Sequence, residues 1–435
     1  MSNSSIKTKI IRITFAIVWG FLSTIVAYLT TTSPEQLPLE SYKLSMLESC
    51  KEALEDVFPF CNKQSQNWNQ SVTMIDVHYE KIMRPEYLHS ISPTDGETIT
   101  SLLGNVAVTD HSKLLKLLKY LQGKNYKYII LDIIFDDNIP QECDDSLRHL
   151  ISQMPRLLIP TPEIENFKAR SISDKYGEVS YYQSNHELTK YPYFLDGKKS
   201  LPLKMYEELH GHNVNEHSAP FFKWYTDDGV CTSTIFLTYP FRPPVPIINQ
   251  MTSRDFVIHK LGQYLQEEDS SGLDNLEIEN KYILIGDYIS DIHHTFVGDL
   301  SGTAILFNAY IALVEGRHRI GWHIMIVIFL LLSSLSYYTL SLNPFVPKRP
   351  SPEIKSWPKL KLLWGLVCRL WGWFYVKIGL FVGVFCCFTY IWQNTIYNIF
   401  ITSSCLVVLK WLNRPWKAFI TRKDCFDFFK KWWLQ

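Results

Sequence analysis

Lys281-Tyr282-Ile283-Leu284-Ile285-Gly286-Asp287 opens the stretch on which the reading of this chain turns. A short apolar run closed by Gly and Asp predicts a buried strand that ends in a loop. The loop, Ser290-Asp291-Ile292-His293-His294-Thr295, is crowded with groups that bind or titrate. Ser301-Gly302-Thr303 then leads into a helix through Asn308, Ala309, Tyr310, Ala312 and Leu313. Gly316 is placed to end that helix, with Arg317, His318 and Arg319 at its negative end. Residues 321–342 follow almost at once, an apolar segment of lipid-spanning length without a single Asp, Glu, Lys or Arg. A strand end rich in polar groups thus runs through one helix into a membrane segment, which is the wiring of a receptor.

Around this stretch the 435 residues sort into two populations, with apolar blocks near both ends and a polar middle long enough to hold its own core. The formal net charge is +0, so no basic field points to nucleic acid. Residues 13–30 form the first apolar block, behind Lys7, Lys9 and Arg12. Signal peptides begin in the same way, but Thr30-Thr31-Thr32-Ser33-Pro34 lacks a small-x-small cleavage pattern, and the expectation is an uncleaved anchor. Segment 320–342 returns the chain to a loop, 343–372, in which Lys348, Arg349, Lys355, Lys359 and Lys361 face the lone acid Glu353. Trp364, Arg369 and Trp371 make the end of that loop an amphipathic helix at the inner surface. Two further spans are expected at 373–392 and 395–412, before a basic tail, 413–435. The excess of Lys and Arg in residues 1–12, in the loop and in the tail places all three in the cytoplasm. Residues 31–319 then lie outside a plasma (inner) membrane crossed four times.

The middle reads as α/β. Asp110 caps a helix whose Leu114, Leu115, Leu118 and Leu121 form one stripe, with Gly123 at its end. Residues 128–135 are apolar on both sides, as the centre of a covered sheet requires. Asp144 and Asp145 begin another helix, and residues 156–160 give a further short strand. Such short alternation predicts a largely parallel sheet flanked by helices. Residues 72–79 are a first strand, followed by a loop holding Pro85, Pro93 and Gly96. Residues 38–58 and 256–266 are expected as helices, and Asp227-Asp228-Gly229 as a hairpin turn. Of nine cysteines, Cys50, Cys61, Cys143 and Cys231 fall in this region. Cys50–Cys61 is the candidate local disulfide and Cys143–Cys231 a long-range one, with buried thiols as the alternative.

Taken in order, these elements resemble the type-two CHASE domain, an extracytoplasmic sensory module associated with cyclases and histidine kinases. The resemblance rests on 127–137 after a Leu-rich helix, on Ser200-Leu201-Pro202-Leu203-Lys204-Met205-Tyr206, and on 281–287 with Asp291, Thr295, Ser301-Gly302 and Asn308-Ala309. It covers most of residues 72–316. The family implies an outer sensor between one span before it and about three after it, and it names no ligand. Its usual fused output is expected in a separate membrane or cytoplasmic protein, because only a short tail follows Leu412.

Ligands of open α/β sheets gather beyond the carboxyl ends of the strands. Asp76 and His78, Asp132 and Asp136, and Asp287 and Asp291 stand near such ends. With His294 and Thr295, the residues Asp132, Asp136, Asp287 and Asp291 form the candidate ligand set for an unknown polar solute or hard cation. His293 and His294 point differently, so at most one joins the site, where it would be a ligand or a pH-sensitive latch. For each acid the competing role is a helix cap or loop pin. Gly302 and Asn308 are structural candidates, and Arg242 is a candidate anion holder. Gly-x-Ser-x-Gly, Walker, His-Glu-x-x-His and Gly-x-Gly-x-x-Gly motifs are missing, so no cofactor and no metal is expected. The reading is a membrane sensor; a non-switching envelope scaffold and an outer-facing metal-dependent hydrolase are the alternatives.

Overall fold

A computed structural model describes residues 3–32, 68–91, 98–135, 139–161, 172–179, 188–219, 222–232, 234–237, 239–243, 252–253, 256–265 and 270–341. In chain order the principal elements begin with helix α1 (Asn3–Thr32), strands β1 (Val72–Asp76), β2 (Lys81–Ile91) and β3 (Thr98–Thr109), and helix α2 (His111–Leu121). Strand β4 (Tyr128–Leu131), helix α3 (Asp144–Gln153), strands β5 (Leu157–Pro160) and β6 (Tyr176–Gly177) and helix α4 (Leu201–His210) follow. Next come β7 (Val214–Ala219), β8 (Phe222–Asp227), β9 (Val230–Thr232), β10 (Thr252–Ser253), β11 (Phe256–Lys260) and the short helix α5 (Leu261–Leu265). The last are β12 (Tyr282–Gly286), β13 (Ile292–Thr295), β14 (Gly298–Ser301), α6 (Gly302–Val314) and α7 (Trp322–Ser341). The chain divides into two units, Pro34–Val214 with Thr234–His318, and Met1–Ser33 with Asn215–Ser233 and Arg319–Gln435.

The larger unit is built on one sheet in the order β10-β11-β1-β12-β4-β5-β6. Neighbours from β11 to β6 all run parallel, and only the edge strand β10 is antiparallel. Every residue of β1, β4 and β12 is buried, as the unbroken apolar runs of β4 and β12 demand of strands covered on both faces. On one face, Leu114, Leu117, Leu118 and Leu121 of α2 and Leu147, Leu150 and Ile151 of α3 join Ile75, Ile129, Leu131, Ile283 and Ile285 in one core. Burying such a side chain contributes roughly 1.5–3 kcal/mol, so this layer carries much of the fold. Asp110 caps α2 by accepting from the Ser112 N–H at 3.0 Å. On the other face α6 lies against β12 and α4. Phe307 meets Tyr282 in a tilted ring contact at 5.3 Å and Phe241 edge-on at 5.2 Å. Helix α6 is buried at every position from Thr303 to Leu313, which is why its sequence is apolar all round. It ends as expected: Gly316, at φ 68°, and the Arg317 N–H satisfy the carbonyls of Leu313 and Ala312. An α/β domain with a mostly parallel sheet is therefore the fold.

Two expectations need correction. Where a loop holding Pro85 is expected after the first strand, residues 81–91 and 98–109 form the antiparallel pair β2–β3, from Lys81↔Thr109 to Ile91↔Thr98. Pro85 fits because a two-stranded ribbon leaves outward N–H positions unpaired. The expected helix 256–266 is not one helix: Ile258, His259 and Lys260 pair with β1, Phe256 and Val257 pair with β10, and only Leu261–Leu265 turns helical.

In the second unit α1 and α7 pack along each other. Ala16, Ser23, Thr24 and Ala27 of α1 are buried, as are Ile328, Leu332, Ser336 and Leu340 of α7. A side chain added at Gly20 would collide with Ser333, so close approach depends on small residues here. Ile13, Ile17, Val18 and Phe21 stay exposed on α1. Strands β8 and β9 form the expected hairpin, with Asp228 and Gly229 both at positive φ, the geometry of a tight two-residue turn. Arg319 holds the buried Asp227 at 2.8 Å. Among the described residues one helix segment, Lys9–Leu29, is long and apolar enough to cross a membrane, and a signal sequence has the same properties. Helix α7 is apolar over Met325–Tyr337. The expected helix 38–58, Cys50, Cys61, Asp136, the loop 343–372, the spans 373–392 and 395–412 and the tail 413–435 lie outside the described residues.

Candidate functional site

Three neighbouring strands, β1, β12 and β4, deliver their carboxyl ends to one edge of the sheet. The register pairs Asp76 with Gly286, so Asp287 follows one residue beyond, and the Asp132 N–H donates to the Ile285 carbonyl at 2.8 Å. Parallel pairing thus brings together three acids that are far apart in sequence. Above them sit the β13–β14 hairpin and the start of α6, where Ser301 caps the helix by accepting from the Ala304 N–H at 3.3 Å. Gly302 is closed on by the Asp291 carboxylate, leaving no room for a β-carbon. A cavity of about 440 Å³ opens here, walled by Asp132, Asp287, Asp291 and Gly302, by Lys81 and Thr109 of the β2–β3 hairpin, and by His111 and Gln141.

Each carboxylate has a different electrostatic setting. Asp287 is half-buried, which alone would raise its pKa. Lys81 at 2.8 Å, the N–H groups of Ser290 and Ile289 at 2.7 and 3.0 Å, and His78 at 3.1 Å outweigh burial and hold it at about 2. Asp76 is pushed up by burial; one oxygen accepts from the N–H groups of His78 and Tyr288, each at 3.1 Å, and Oδ2 is buried with no partner among the described residues. Asp132 is pushed up to about 7, first by burial and then by the neighbouring Asp291. The Thr303 hydroxyl, which donates to it at 2.8 Å, and His293 act in the opposite sense. One edge of the sheet therefore presents a firmly ionised carboxylate beside one poised near neutrality, a contrast concentrated at functional sites.

A second polar group was hidden from sequence reading. His111 Nδ1 lies 2.6 Å from Asp144, and the Gln141 side chain accepts from the His111 N–H at 2.9 Å. Gln141 in turn donates to the Thr109 carbonyl at 2.7 Å, and its own N–H donates to Asp144 at 3.0 Å. The two ends of this pair open consecutive helices 33 residues apart. The sequence signal was a His directly after the cap Asp110 and an Asp in the first turn of the next helix, and each had a sufficient local explanation. Lys81 was missed because its segment was read as loop.

Of the expected ligand set, Asp132, Asp287 and Asp291 line the cavity. His294 does not: it is exposed and bonded to Asp299, whereas His293, one residue earlier and so on the opposite side of the strand, faces the cavity. Thr295 uses its hydroxyl within its own turn, donating to the Gly298 carbonyl at 2.6 Å, and is not among the cavity residues. Asn308 is fully buried and clamps a neighbouring loop, accepting from the Phe241 N–H at 3.0 Å and donating to the Phe241 carbonyl at 2.7 Å. Arg242 donates to the Tyr239 carbonyl at 2.6 Å. Cys143 is a free thiol among the described residues, and the side chain of Cys231, its expected long-range partner, lies outside them. Among the described residues, no three ligand atoms of the strand-end acids and histidines lie within 4.8 Å of one another. Comparison with protein-family models, with curated proteins and with solved structures finds no match.

Proposed function

We propose that this chain is a membrane-tethered signal-input protein whose α/β body, outside the cell membrane, binds a small polar solute in the cavity at the strand ends. The observation that carries the reading is the cavity's wall. Asp291, His293 and Gly302 belong both to the site and to the segment that continues through α6 and residues 315–321 into the apolar helix α7. A solute that prefers one arrangement of that wall over another biases the position of α6, and only such a preference transmits a signal. In this reading α1 and α7 are the first two of four spans, with 373–392 and 395–412 completing the bundle, and a separate protein reads their packing. The type-two CHASE resemblance, with its outer sensor between one leading span and several trailing ones, supports the same arrangement.

The decisive experiment concerns sidedness. Lys198 is exposed in the turn after Asp196 and Gly197. Lys198→Cys, in a chain with its native cysteines replaced, should react with a membrane-impermeant maleimide in intact cells expressing it. Reaction only after lysis would put the body in the cytosol and end the proposal.

A further inference from the structure

We propose that the cavity selects an organic cation, with a primary ammonium group seated between Asp132 and Asp291 and an apolar body lying against Ile133, Ile305 and Leu306. The inference rests on the cavity being the ligand site and adds the chemical class of the ligand.

Charge on the cavity wall is unevenly matched. Lys81 lies on the same cavity but is committed to Asp287 at 2.8 Å, with His78 on the other side of that carboxylate at 3.1 Å. The Asp132–Asp291 end has no such partner. Among the described residues neither acid meets a Lys or Arg; Asp291 has His293 at 2.8 Å, and Asp132 has the Thr303 hydroxyl. Two neighbouring carboxylates without a fixed cation, Asp132 partly buried and Asp291 with its side chain 43% exposed, form a place where an ammonium ion gains charged partners while keeping part of its water.

His111 is the second, independent observation. It is only 4% exposed and it lines the cavity. A carboxylate at Nδ1 fixes the tautomer with the proton on that nitrogen, so in the neutral ring Nε2 is an acceptor, and it has no partner among the described residues. The two carboxylates accept hydrogen bonds, and so does Nε2 of the neutral His111 ring, so both ends of the cavity suit hydrogen-bond donors. Val77, Ile133, Ile134, Ile139, Ile305 and Leu306 supply an apolar wall between them. A carboxylate ligand would face two acids. Among the described residues lining the cavity, no three ligand atoms converge within 4.8 Å as a bare metal ion would need.

Protonation gives this proposal its signature. The groups around Asp132 are Asp291 and His293 beside it, Thr303 from α6, the buried Tyr288, and Lys81, Asp287 and His111 on the remaining walls. An ammonium ion beside Asp132 favours its ionised form, so binding below neutrality expels a proton.

The test is titration calorimetry on the full-length chain in detergent. The probes are 2-phenylethylamine, its neutral analogue 2-phenylethanol and the anion 3-phenylpropionate. At a pH of about 7.5 the amine should bind at least about tenfold more tightly than either analogue, and Asp132→Asn or Asp291→Asn should each weaken it by about tenfold or more. Thermal midpoints of the unliganded variants establish that they are folded. At a pH of about 6, paired buffers of different ionisation enthalpy should report release of close to one proton, retained in His293→Gln and lost in Asp132→Asn. Equal binding of the alcohol or the carboxylate, indifference of the amine to both substitutions, or no amine binding would each overturn the cation assignment. Where an analogue binds and Ile305→Trp abolishes it, the ligand-site reading survives without the cation. Where none of the three binds, both fall.

Discussion

Asp132 and Asp287 have the same side chain, close in space, and they respond to acid in opposite ways. Asp287 is depressed in the folded state, so its contribution to stability is present above the ordinary Asp range and is lost as pH falls through about 2. Asp287→Asn should therefore cost roughly 1–2 kcal/mol near neutrality, with the difference shrinking in strong acid, as measured by denaturant titration across pH. Asp132 is raised, so its contribution is complete below the ordinary Asp range and is progressively lost up to about pH 7. Asp132→Asn removes that loss and should flatten the same titration between about pH 4 and 7, leaving the variant more stable than the parent above it. None of this was legible in the sequence. Both acids were visible as strand-end residues, but their states depend on which strands are neighbours, on Lys81 arriving from a hairpin, and on Asp291 folding back over Gly302. His111 and Asp144 were opaque for the same reason, since a contact across 33 residues leaves no local pattern.

Elements were legible where burial alone decides them. Strands β4 and β12 announce themselves because a strand covered on both faces must be apolar throughout, and α2 because its leucines recur at helical spacing. The β2–β3 hairpin was not legible: its strands contain Pro85, Gly104 and several polar residues, and its order comes from cross-strand bonds that sequence spacing does not encode. Strand β11 was opaque because only Ile258 of its five residues is buried, so it shows no unbroken apolar run. At this scale Asn308 is the sharpest test. Its amide satisfies the Phe241 N–H and carbonyl and also donates to the Ala304 carbonyl at 2.8 Å. Asn308→Ala strands two buried backbone groups and should cost about 2–4 kcal/mol, read as a lower denaturation midpoint. Gly302→Ala should act more locally. The added methyl displaces the Asp291 carboxylate, and it should weaken amine binding in calorimetry while changing the thermal midpoint less than Asn308→Ala does.

For the molecule as a whole, the pairing of α1 with α7 ties the two ends of the described chain together. Ala16 and Leu340 belong to one buried cluster with Phe15 and Trp19, and Gly20 admits Ser333. Gly20→Leu should force the helices apart. A cross-link between Ala16→Cys and Leu340→Cys, efficient in the parent with other cysteines replaced, should then be lost. The burial of α6 from Thr303 to Leu313 has a consequence of its own. A rod with no wet side cannot fray: its amide protons should outlast those of the surrounding loops in deuterium exchange, since only wholesale opening of the domain lets solvent in. Whatever pushes on its first turn must therefore shift all of it.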